Sequence, residues 1–182
     1  MKVLIASALL AALVLPVAAQ QRPGHDPLTA DESDKLRDTA MEPNRRLKLY
    51  VEFAKARMVK IDALLADPKA KDRPQQLHDL LADFSSLADE IADNVDTFSS
   101  QQWDIRKSLK LVIEADSGFR VELRNLAQQA AKNEDEAQPY KFVLQDTIES
   151  VNNGADDARK TMQDQNALAK DKKLKKEDDS QQ

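Results

Sequence analysis

The hexapeptide Leu-Lys-Leu-Tyr-Val-Glu at residues 47–52 recurs as Leu-Lys-Leu-Val-Ile-Glu at residues 109–114, 62 positions further along the chain. The segments that follow, 80–98 and 144–162, correspond in their apolar positions at a shift of 64. This pattern predicts an internal repeat of one αα-hairpin. The alternative is a chance likeness between amphipathic helices, whose apolar stripes resemble each other by construction, but the identical Lys and Glu argue against it.

Each copy carries apolar residues at alternating steps of three and four, which is typical of a helix with one buried stripe. Pro43 and Pro74 suit the first turn of a helix, because the N–H that proline lacks has no partner there. Two antiparallel hairpins bury one face each by docking on one another. The predicted fold is therefore all-α: an antiparallel up-down-up-down four-helix bundle made of two repeated αα-hairpins, plus a short N-terminal helix.

The first 19 residues have the pattern of a cleaved export signal. Lys2 precedes an apolar run over residues 3–15, which is shorter than the roughly 20 residues of a membrane-spanning helix. Small side chains at 17–19 predict cleavage after Ala19 and a periplasmic or secreted product. The predicted divisions are a signal peptide (1–19), a flexible linker (20–27), a helical bundle domain (28–168) and a disordered charged tail (169–182).

The start of the first helix is marked by the sequence Leu-Thr-Ala-Asp-Glu at residues 28–32. Thr29 and Glu32 have the spacing of a capping box, in which each side chain binds the other residue's backbone N–H. The segment 28–36 also resembles the Leu-Thr-x-x-Gln motif of small helical periplasmic chaperones, with Glu32 in the place of Gln. That resemblance implies a chaperone-like function, while a capping box accounts for the same letters.

Composition excludes several classes of function. The chain has 182 residues, no Cys, three Gly, 27 Lys or Arg and 32 Asp or Glu. Without Cys there are no disulfides or thiolate metal ligands, and the scarcity of Gly argues against phosphate-binding loops. The two His residues lack neighbours at metal-ligand spacing. We therefore predict no enzyme, no cofactor and no metal, and the mixed-sign, mildly acidic charge predicts no nucleic-acid partner.

Docking the two copies in register places Ala54, Ala88, Asp116 and Gly154 at one height in the middle of the bundle. A carboxylate in a packed core must be paired, hydrogen-bonded or protonated. Asp116, with Gly154 and Arg120, is therefore the predicted ligand-binding site, and it would receive a cation or a small polar molecule. The alternative is that Asp116 leans outward to Arg120, four residues on, as an ordinary helix pair.

The export signal and the absence of recognisable catalytic motifs predict a non-enzymatic binding, scaffolding or chaperone-like protein of the bacterial cell envelope. Its expected partners are envelope proteins or a second copy of the chain, and no transmembrane segment is expected. The alternative function is a carrier of a small ligand or cation that uses the Asp116 layer. The sequence does not identify that ligand.

Overall fold

The computed structural model describes residues 26–179, with side chains described through residue 173. Every regular element in this part of the chain is a helix, which confirms the predicted all-α class. The helices are α1 (Ala30–Arg37), α2 (Pro43–Ala66), α3 (Arg73–Ser100), α4 (Arg106–Ala130), α5 (Glu134–Ala137) and α6 (Lys141–Asp179). The predicted signal peptide and most of the predicted linker lie outside the described residues.

Helix starts fall where caps and prolines predict them. Pro43 is the first residue of α2, and Pro74 lies in the first turn of α3. At α1, the Glu32 N–H donates to the Thr29 hydroxyl at 3.3 Å, and the Thr29 N–H donates to the Glu32 carboxylate at 2.8 Å. The predicted capping box is therefore formed.

Two helical segments are additional to those that the sequence pattern predicts. The connection between α4 and α6 contains the single-turn helix α5. Helix α6 continues to Asp179, whereas residues 169–182 were expected to be a disordered tail. Lys, which has high helix propensity, is the commonest residue from 169 to 179, with five occurrences against three for Asp. Because the packed part of α6 already supplies the nucleus, each further residue needs only propagation.

The four long helices form two antiparallel hairpins. Arg46 near the start of α2 donates from Nε to Asn94 Oδ1 near the end of α3, at 2.9 Å. At the start of α4, the Ile105 N–H donates to Gln165 Oε1 of α6, at 3.1 Å. Each long helix therefore packs along its hairpin partner over most of its length, as the duplicated pattern predicts.

Equivalent helices of the two hairpins lie side by side and run in the same direction. At the start of α4, the Ser108 N–H and hydroxyl both donate to Asn44 Oδ1 at the start of α2, at 3.1 and 2.9 Å. In the other layer, Ser150 of α6 donates to Asp89 of α3. The order around the bundle is α2, α3, α6, α4. The up-down-up-down arrangement, in which all neighbours are antiparallel, is therefore not confirmed.

The centre of the bundle is closed by apolar side chains from all four long helices. Phe84 of α3 and Phe119 of α4 meet edge to face there, with ring centroids 4.9 Å apart. These two helices lie diagonally across the bundle, so the aromatic pair joins the two hairpins through the core. Edge-to-face pairs add about 0.5–1.5 kcal/mol to the energy of burial alone.

Two arginines of α2 hold the N-terminal segment against the bundle. Arg57, whose side chain is 3% exposed, donates to both Glu32 carboxylate oxygens at 2.7 and 2.6 Å and to the Pro27 carbonyl at 2.5 Å. Three turns earlier, Arg46 donates to the Leu36 carbonyl at 3.1 Å. The hydrogen bonds from Arg57 lower the pKa of Glu32 to about 2 although burial opposes them. Helix α1 is thus fastened near both of its ends.

Replacing Asn44 with Ala is expected to lower the free energy of unfolding by about 1–2 kcal/mol, because buried Ser108 then loses the acceptor for its N–H. Urea unfolding measures the change. Asn133→Ala is the control, since the Asn133 side chain donates only to the exposed Glu136 and its loss should change little. Equal effects of the two substitutions would show that Asn44 does not join the hairpins.

Candidate functional site

Asp116 lies on the buried stripe of α4 and is 7% exposed. Its carboxylate has no hydrogen bond and no ion pair with any described residue. Burial raises the pKa of Asp116 to about 7, and the positive fields of Arg159 and Arg120 only partly oppose that rise. Near neutral pH the Asp116 carboxyl group is therefore partly protonated.

Neither of the two arginines near Asp116 forms an ion pair with it. Arg120 follows Asp116 by one turn of α4 and is half-buried, but it forms no ion pair with it. Arg159 of α6 donates to Asp156 at 2.9 Å. The predicted outward pair between Asp116 and Arg120 is therefore not made, and the larger nearby field comes from Arg159, which sequence reasoning did not single out.

The other residues of the predicted middle layer lie partly in the core and partly at the half-buried edge of the bundle. Ala54 is fully buried and Asp116 is buried, whereas Ala88 and Gly154 are half-buried. Gly154 lies in the outer groove between α3 and α6, where a Cβ added to it would be 3.8 Å from Ala92 Cβ. The groove that Gly154 lines contains neither Asp116 nor Arg120.

The charged side chains are divided between the two layers of parallel helices. Helices α2 and α4 together carry eleven Lys or Arg and five Asp or Glu. Helix α3 and the part of α6 up to Gln165 carry four Lys or Arg and eleven Asp or Glu. We call the outer surface of α2 and α4 the basic face and that of α3 and α6 the acidic face. The two faces lie on opposite sides of the bundle.

A groove on the basic face lies where α2 and α4 begin. It has a volume of about 360 Å³, and its charged lining consists of Arg45, Lys48 and Lys107 together with Glu42, which forms an ion pair with Arg45. The half-exposed Leu111 lies beside them. Both helices direct their N-terminal ends, which carry partial positive charge, toward this end of the bundle. We call it the basic groove.

A second groove lies between α3 and α6 on the acidic face, with a volume of about 400 Å³. Its charged lining consists of Asp89, Asp146, Glu149 and Asp157. Asp89 accepts a hydrogen bond from Ser150, and the other three carboxylates are exposed. We call this the acidic groove. Sequence reasoning missed both grooves, although the unequal charge of the four helices is visible in the sequence.

Two further features bear on function. Among the described residues, no three His, Cys, Asp or Glu side chains are grouped so that they could hold a metal ion. Within the same part of the chain, none of the helices combines the length and the apolar character needed to cross a bilayer.

Comparison with known proteins gives no assignment: no protein-family model matches the chain, and no curated protein or solved structure matches it. Function is therefore inferred from the interior and the surface of this chain alone.

Proposed function

We propose that this chain is an exported, non-enzymatic helical bundle that acts as a binding or scaffolding protein of the bacterial cell envelope through its two charged faces. The observation that carries the proposal is the division of charge between the layers, with eleven basic residues on α2 and α4 and eleven acidic residues on α3 and the first part of α6. Charge arranged over a whole face attracts and orients an oppositely charged partner.

The bundle suits this function because its faces are rigid. Asn44 and Ser108 join the two helices of the basic face, and Ser150 and Asp89 join those of the acidic face. The charged side chains are thus presented on helices that do not have to be ordered when a partner binds. Binding to a pre-formed surface avoids that entropic cost.

The test is a pull-down from bacterial envelope extracts with the mature chain as bait. Two face variants serve as comparisons: Arg45→Glu, Lys48→Glu and Lys107→Glu on the basic face, and Asp146→Lys, Glu149→Lys and Asp157→Lys on the acidic face. We expect partners that are retained by the wild type and lost from one variant. Identical retention by all three baits would overturn the proposal.

A chaperone-like form of the same function predicts that the chain slows the aggregation of an unfolding client protein. Light scattering of a heated client, with and without the chain, measures this. Suppression that disappears in one face variant supports chaperone-like binding through that face. No suppression at a several-fold molar excess of the chain would remove the chaperone-like form and leave the scaffolding form.

A second candidate function, a carrier of a small ligand or cation, is supported by one observation: Asp116 is only 7% exposed, and no described residue donates a hydrogen bond to its carboxylate, although the carboxylate oxygens are not themselves fully buried. A ligand that donates to this carboxylate would stabilise the folded state in proportion to its occupancy. Melting curves with millimolar Mg²⁺, Ca²⁺ or putrescine test the idea on the wild type and on Asp116→Ala. Stabilisation of the wild type alone supports it, and none in either protein counts against it.

A further inference from the structure

We propose that the acidic face of one copy docks on the basic face of a second copy, so that molecules associate side by side. The inference rests on the proposed function, because it takes the charged faces as binding surfaces and names their partner. A second copy is a suitable partner because every molecule has both a basic and an acidic face. The two faces lie on opposite sides of the bundle, so both can be occupied at once.

The two faces match in the size of their charge. Counted over the whole helices, α2 with α4 has an excess of six positive charges and α3 with α6 up to Gln165 an excess of seven negative charges. Of the residues counted, Arg57 and Asp116 are buried, and leaving both out does not change the excess on α2 and α4. Many of these charged side chains are exposed, among them Lys48 and Lys107 on the basic face and Glu149 and Asp157 on the acidic face. Complementary potentials of this kind favour one mutual orientation over others.

The grooves on the two faces are at similar heights along the bundle. The hydrogen bond between Arg46 and Asn94 places the start of α2 level with the end of α3. Lys48 of the basic groove and Ala92 of the acidic groove therefore lie at nearly the same height along the bundle, in opposite layers. A sideways displacement without rotation brings the basic groove of one copy onto the acidic groove of the next. Such a heterologous contact repeats along a row of molecules.

The faces are large enough for a specific contact. Helices of 24 residues are about 36 Å long at 1.5 Å per residue, and two helices packed side by side are about 20 Å wide. A face of about 700 Å² per copy is close to the roughly 800 Å² that each partner buries in a standard interface. Because these faces are polar, the association is weak and depends on salt.

Sedimentation velocity of the mature chain over a range of concentrations tests the proposal. At low salt, near 20 mM NaCl, we expect the weight-average mass to rise with concentration. Near 500 mM NaCl the association constant should fall by about tenfold or more, because the screening length shortens to a few ångströms. A wild type that stays monomeric at low salt up to several hundred micromolar would overturn the proposal.

The face variants give the sharper result. The Arg45→Glu, Lys48→Glu, Lys107→Glu variant removes the excess positive charge of the basic face and leaves the acidic face unchanged. The Asp146→Lys, Glu149→Lys, Asp157→Lys variant removes nearly all the excess negative charge of the acidic face and leaves the basic face unchanged. Each alone should remain monomeric, and an equimolar mixture should associate again. A mixture that stays monomeric while the wild type associates would mean that a different surface is used, and would overturn the proposal.

A matched control carries the same change of net charge away from both grooves: Lys69→Glu, Lys71→Glu and Lys132→Glu, all exposed in connections at the other end of the bundle. We expect it to associate as the wild type does. If it is monomeric, net charge and not the faces governs the behaviour, and the proposal fails. The pull-down is independent of this result, because partners lost from a face variant support the proposed function even if the wild type is monomeric.

Discussion

At pH 8, Asp116→Asn is expected to raise the free energy of unfolding by up to about 4 kcal/mol. Burial raises the pKa of Asp116 from 3.8 to about 7 in the folded chain. Below 3.8 the carboxyl group is neutral in both states and has no effect on stability. As the pH rises from 3.8 to 7 the unfolded chain ionises first, so the wild type loses stability, and above 7 the full cost of a buried charge is present. Asparagine carries no charge and avoids that cost.

Urea unfolding of both proteins from about pH 4 to pH 8 measures the effect. The difference in stability should be close to zero at pH 4, should grow up to pH 7 and should stay constant above it. Asp93→Asn is the control, because Asp93 is an exposed acid on α3 and its replacement should give a small difference. A difference for Asp116→Asn that is the same at pH 4 and pH 8 would show that the carboxyl group is not desolvated in the folded state.

Replacing Arg57 with Met is expected to cost about 3–5 kcal/mol, the loss that follows when one partner of a buried ion pair is removed. The Glu32 carboxylate then keeps its burial but loses two donors, and the Pro27 carbonyl loses its partner. Because Arg57 holds the N-terminal segment, amide exchange should accelerate first in α1, residues 30–37. Urea unfolding near pH 7 gives the overall loss.

Adding Glu32→Gln to Arg57→Met should recover most of the loss. Glutamine removes the unpaired charge, and its amide oxygen can still accept the Thr29 N–H of the capping box. Arg45→Met is the control, since the ion pair of Arg45 with Glu42 is exposed on both sides and is worth at most about 1 kcal/mol. A double variant as unstable as the single one would assign the loss to packing of the Arg57 side chain instead of to the unpaired carboxylate.

Acid provides an independent check on the same pair. The folded pKa of Glu32 is about 2, against 4.5 in the absence of its partners. The stability that the pair contributes is therefore complete above about pH 4.5 and is lost as the pH falls through 2. The wild type and Arg57→Met should converge in stability over that range.

The helices were predictable because local signals determine them. Apolar spacing predicted which face of each helix is buried. Pro43, Pro74 and the capping box at Thr29 predicted where three of the helices begin. The order of neighbours was not predictable, because a broad apolar stripe contacts two neighbouring helices and does not show which ones they are. The pair that sets the order, Asn44 with Ser108, joins residues 64 positions apart and has no local signature.

The candidate site was predictable only where local apolar spacing determines it. The seam spacing of α4 placed Asp116 on the apolar stripe of that helix, but it did not decide between a buried side chain and one that leans outward to Arg120. The height calculation assigned Gly154 to the same layer, but a helix turns by about 100° per residue, so height alone does not decide which side of α6 a residue occupies. Ala155, the next residue along the chain, is buried instead. Arg159 was missed because its field reaches Asp116 from another helix.

The separation of charge between the two layers also governs how the molecule is handled in the laboratory. On a carboxylated sensor chip we expect the protein to be oriented with α2 and α4 toward the surface, which hides the basic groove and leaves the acidic groove accessible to a partner in solution. An amine-coated chip does the opposite. Measured affinities for one partner will thus differ between the two supports, and immobilisation through a C-terminal tag on α6 keeps both sides accessible.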